Sequence, residues 1–98
     1  MLLGEVIGTV VATQKYEGLE GTKLLLVEQL GPEASPSGNF LVAVDAVGAG
    51  KGDIILFATG SSARNTGMTM DKPVDAVIMG IIDSWELRDK RVYDKSSQ

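Results

Sequence analysis

Apolar residues fall in short runs separated by glycine and polar turns, and no segment longer than a turn or two keeps a helical spacing. Residues 3–13 predict a first strand, with Val6, Gly8, Val10 and Ala12 on one face and Glu5, Ile7, Thr9, Val11 and Thr13 on the other. Gly4 and Gly8 inside that pattern predict a bend or bulge, as at a barrel corner. Residues 14–22 are polar and read as a loop, and residues 23–30 as a second strand. The stretch 31–39, holding Pro32, Pro36, Ser35, Ser37 and Gly38, predicts a long loop before a third strand at 40–45. Gly48, Gly50 and Gly52 predict a tight turn, followed by a fourth strand at 54–59. Residues 60–72 are mostly polar, with a helical turn expected near Ser62 to Arg64, and a fifth strand follows at 76–82. Five short strands in one chain of 98 residues predict an all-β domain, a small barrel or sandwich.

Residues 84–98 carry balanced charge but keep Trp85, Leu87, Val92 and Tyr93. They predict a C-terminal extension docked as far as about Tyr93 and frayed beyond. The expected division is therefore 1–83 for the barrel domain and 84–98 for the extension.

Composition narrows the chemistry. There is no cysteine, which excludes disulfides, thiolate metal sites and cysteine nucleophiles, and no histidine, the commonest general base and metal ligand. Nine basic residues against thirteen acidic ones give a net charge of −4, the wrong sign for a surface that neutralises phosphates. No apolar run reaches the roughly 20 residues of a membrane span. No basic segment precedes the first apolar stretch, so a soluble, cytoplasmic protein is expected.

The candidate motifs fail on spacing. A phosphate-binding loop needs glycine five residues before its Gly-Lys pair, and Asp45 stands there before Gly50 and Lys51. A dinucleotide fingerprint needs a different glycine spacing and a following helix, whereas a strand follows Gly52. Around Ser61 and Ser62 the second glycine of a nucleophile elbow is missing, and no histidine could activate either hydroxyl. A serine there is better suited to capping a helical turn. Asp45, Asp53, Asp75 and Asp83 sit at strand ends, where carboxylates ordinarily accept backbone hydrogen bonds. No catalytic residue, metal ligand or cofactor site is expected. A five-stranded barrel is also the OB-fold, so a single-stranded nucleic-acid binder is the alternative reading. It would need stacking aromatics, and Phe40 and Phe57 lie in apolar strands that suit the core.

In order along the chain, residues 3–13 (Leu-Gly-Glu-Val-Ile-Gly-Thr-Val-Val-Ala-Thr), Lys15, Leu19, Gly21 and 23–27 resemble the EutN/CcmL family of microcompartment vertex proteins. The resemblance continues through 42–50, Gly52, Asp53, Gly60 to Arg64, 73–76 and 80–83. It implies an OB-like barrel that assembles as a cyclic homopentamer, partners hexameric shell proteins, and caps the five-fold vertices of a shell in the cytoplasm. It implies no nucleic acid, membrane, cofactor or small-molecule substrate. Under it, Gly60, Ser61, Ser62, Ala63 and Arg64 are candidates for the pore or ring axis. Lys15, Asp45, Gly48, Ala49, Gly50 and Gly52 are candidates for the subunit interface.

Overall fold

A computed structural model describes residues 1–13, 17–60, 63 and 74–97 of the chain. Strands β1 (Leu2–Val10), β2 (Leu24–Leu30), β3 (Pro36–Asp45), β4 (Ile54–Thr59) and β5 (Ala76–Ile81) close a barrel in the order β1-β2-β3-β5-β4. All neighbours are antiparallel except β3 and β5, which run parallel and meet only at Val44 against Val77 and Asp45 against Ile78. The five-stranded barrel expected from the strand pattern is present.

Several boundaries differ from the expectation. β1 ends at Val10, short of Thr13, and β5 at Ile81. β3 begins at Pro36, inside the stretch expected to be a loop. The proline starts the strand, where its missing N–H costs no ladder bond. Gly38 N–H is then taken by the Glu28 carboxylate at 3.1 Å, and Ser37 Oγ donates to Gln29 O at 2.5 Å. The Glu28 side chain and the Gln29 backbone carbonyl of β2 thus hold a segment whose composition signals a loop.

The barrel interior is filled by Val6, Leu25, Val27, Ala43, Ile55, Phe57, Ala76 and Ile78, with Ala49 from the glycine turn. Alternation along the strands places Val44, Ala58 and Val77 on the outer face, where Ala63 and Val74 cover them. This double burial explains why the strands read as continuous apolar runs. Gly4 is required by the interior. A Cβ there would lie 2.7 Å from Val27 Cγ1 and 2.9 Å from Phe57 Cε1. The register of β1 on β2 shifts between Val6 and Gly8, so the expected bulge falls next to the second glycine.

The tail is a further hairpin, β6 (Ser84–Leu87) and β7 (Lys90–Asp94), ending in a 3₁₀ turn at Lys95–Ser97. Tyr93 packs with Leu30 and Ile54, and Leu3, Ile82 and Trp85 flank them. Trp85 Nε1 donates to Pro32 O at 2.9 Å, and its ring stands 5.4 Å from that of Tyr93. Burial, reinforced by the carboxylates of Asp53, Asp83, Asp94 and Glu5, raises the Tyr93 pKa above its ordinary value. Of the two phenylalanines expected in the core, only Phe57 is buried. Phe40 is 58 % exposed, because β3 alternation turns it to the outer face, and there none of the described residues covers it.

Candidate functional site

The turn from Asp45 to Asp53 is organised by the two carboxylates at its ends. Asp45 is buried, and its Oδ1 accepts the N–H groups of Val47, Gly48 and Ala49 at 3.0, 3.1 and 3.1 Å. Asp53 Oδ2 accepts from Gly50 N at 2.8 Å, while Asp53 N donates to Gly50 O at 3.0 Å. Lys23 spans from β2, donating through Nζ to Ala49 O at 2.8 Å and standing 3.8 Å from Asp45 Oδ2. Gly52 N donates to Val6 O at 2.8 Å, and Val6 N to Asp53 O at 2.9 Å, so the turn is also tied to β1. A loop with so many fixed N–H and C=O groups is a rigid projection from the barrel.

The glycines of the turn divide by cause. Gly48 and Gly52 hold φ of 79° and 93°, a region that disfavours any Cβ. Gly50 has no such backbone demand, and a Cβ on it would meet nothing among the described residues within 4 Å. Of the other interface candidates, Ala49 is buried in the barrel interior and Lys15 lies outside the described residues. Of the axis candidates, Gly60 is exposed with φ of 63°, and Ala63 is fully buried against β3, β4 and β5. Ser61, Ser62 and Arg64 lie outside the described residues.

Two features were not singled out from the sequence. Lys23 clamps a turn 26 residues away, a link that only the fold creates. The other is an apolar strip on the outer face of β3, where Phe40 and Val42 are 58 % and 44 % exposed. Val42 also borders an open groove of about 220 Å³, lined further by Leu19, Leu24, Val44, Val74, Asp75 and Ala76. Among the described residues, no three acidic side chains gather closely enough to hold a metal ion.

A closed β-barrel bearing a rigid glycine turn and an exposed apolar strip is equipped for contact with other protein surfaces. Comparison with known proteins gives that contact a class. The profile of the family described as "Ethanolamine utilisation protein EutN/carboxysome" matches residues 1–83. The microcompartment shell vertex protein GrpN of Rhodospirillum rubrum is 49 % identical over 86 residues, covering 88 % of this chain and 97 % of GrpN. The carboxysome shell vertex protein CcmL of Gloeobacter violaceus is 40 % identical over 98 residues, covering all of this chain and 98 % of its own. The solved CcmL structure from that organism superposes with a TM-score of 0.93 over 98 % of this chain and 99 % of its own. A solved GrpN, described as a pentameric microcompartment shell protein, gives 0.81 at 48 % identity over 89 % of this chain and all of its own. The chain belongs to the EutN/CcmL family of microcompartment shell vertex proteins.

Proposed function

We propose that the protein is a structural, non-catalytic subunit that assembles into a ring of five and closes the five-fold vertices of a microcompartment shell. The observation that carries this reading is the near-full-length likeness to GrpN, a relative solved as a pentameric shell protein. A flat sheet of hexagonal tiles cannot close on itself, and pentagons supply the missing curvature. The task is then geometric: one head-to-tail contact whose rotation closes after five copies. The partners around the ring are hexameric shell proteins, and the place of action is the shell in the cytoplasm. The absence of histidine and cysteine supports a role without acid–base or thiolate chemistry.

Within this reading the glycine turn and the Gly60 to Arg64 stretch are contact points of the ring. Gly50 supports the first assignment, since the described residues of its own chain give no reason for glycine there and a close neighbouring backbone would. Gly60 is exposed, as a residue at a ring axis would need to be. Nucleic-acid binding has no such support. The net charge is negative, Phe57 and Tyr93 are buried, and Trp85 is engaged with Pro32.

Co-expression with the hexameric shell proteins of its own compartment tests the proposal. Closed particles are expected when the chain is present and open or tubular assemblies when it is omitted. Fully sealed shells formed without it would overturn the vertex role.

A further inference from the structure

We propose that the free edge of β3, at Phe40 and Val42, is where a second copy of the chain adds an extended segment, forming the seam of the ring. The inference rests on the pentameric reading above and names the surface that reading leaves open.

Backbone alternation identifies the edge. Asp45 N donates to Lys23 O at 2.9 Å, so Asp45 faces β2. The unbroken register Leu24 to Val44, Leu26 to Val42 and Glu28 to Phe40 then turns Ala43 and Leu41 toward β2 as well. Val44, Val42 and Phe40 therefore aim their N–H and C=O groups to the opposite side. Val44 meets β5 there through Val77, and the β3–β5 pairing reaches no further back along β3. Among the described residues no strand pairs with that side of Val42 and Phe40.

The same two residues expose their side chains, so the edge is unpaired and apolar together. A long, apolar, unpaired edge is an aggregation hazard that folded proteins cover. Strand addition satisfies the backbone groups, and flanking side-chain pockets supply selectivity. The groove bordered by Val42, Val44 and Leu24 continues from the edge and would receive an apolar side chain of the incoming segment.

A second copy is the occupant that the fold favours. A head-to-tail ring needs two different surfaces on every subunit, and among the described residues the chain carries a second open edge of its own. Val6 bonds to Gly52 and Asp53 on the β4 side. Past the bulge, Gly8 and Val10 face Leu26 and Leu24 of β2, which leaves Thr9 facing away, beyond the last β4 pairing at Glu5. Val11, next along, is 87 % exposed.

Amide hydrogen exchange on the intact assembly, read beside its native mass, tests the inference. In a five-chain particle the Phe40 and Val42 amides are expected to exchange about a hundredfold slower than in an unpaired strand. In a Phe40→Lys variant, whose substitution lies on an exposed face, the five-chain species should be lost and the Val42 amide should lose its protection. Val42→Pro removes an edge N–H without touching the β2 ladder and should also give folded single chains. If the wild type forms five-chain particles but these amides exchange freely, the inference is wrong and the pentamer stands. The same follows if both variants stay pentameric, if protection persists in single chains, or if protection appears only once other shell proteins are added. A wild type that never forms five-chain particles overturns the pentameric reading and this inference together.

Discussion

Asp45 holds the first half of the glycine turn. Its side chain is 3 % exposed and accepts three backbone N–H groups, so Asp45→Ala leaves all three without their partner in a dry setting. The expected loss is about 2 to 3 kcal/mol in urea unfolding. Asp45→Asn, which keeps one acceptor oxygen, should lose visibly less, and equal losses would refute the hydrogen-bonding account. Gly4→Ala should cost about 1 to 3 kcal/mol, since the new methyl meets Val27 and Phe57, both fully buried. Gly50→Ala separates the internal from the external explanation of a glycine. The folding stability of the single chain should stay within about 0.5 kcal/mol, while association weakens. A variant that loses stability but assembles normally would place the constraint inside the subunit. At this scale the sequence shows that a strand-end aspartate and a glycine turn belong together, because short-range turn chemistry is local. It cannot show Lys23 reaching Ala49, which depends on β2 lying beside the turn.

The strands were legible where apolar runs ended at glycine, and β4 begins and ends where its run does. They were less so where a neighbouring strand overrode local propensity, as the Glu28 carboxylate and the Gln29 backbone carbonyl do for the first residues of β3. Phe40 was misjudged because apolar character does not reveal which face of a strand is covered. The terminal hairpin was hidden for a related reason. Its two-residue turn uses Arg88 and Asp89 with φ of 52° and 67°, in place of the asparagine and glycine that such a turn favours. Asp89→Gly should therefore stabilise the chain by about 0.5 to 1 kcal/mol, seen as a higher melting temperature. An unchanged or lower value would mean that the aspartate side chain compensates the strain. The hairpin also carries a pH signature through Tyr93, whose pKa is raised in the fold by burial and then by nearby carboxylates. The phenol keeps its proton in the fold, while in the unfolded chain it ionises near 10. Its contribution is thus full below that pH and lost as pH rises through the folded value. Tyr93→Phe should lose less stability than wild type between pH 9 and pH 11, and parallel losses would show that another group governs the alkaline limb.

The whole molecule is a barrel with a hairpin packed at Leu30 and Ile54, and the described residues cover its outer face only in part. The covered part, over Val44, Ala58 and Val77, is buried by the subunit itself, whereas the strip at Phe40 and Val42 is exposed. That division is what a building block requires: a core sufficient to fold, and an edge left for assembly. Small domains bury a limited share of their surface, so association also adds stability that the single chain lacks. The vertex role stands or falls with the number of copies in the ring, because only closure at five supplies the curvature that a hexagonal sheet lacks. Native mass spectrometry of the purified full chain at micromolar concentration measures that number directly. The account predicts one dominant species at five times the 10.3 kDa chain mass. Single chains alone, or a ring of any other number, would contradict it.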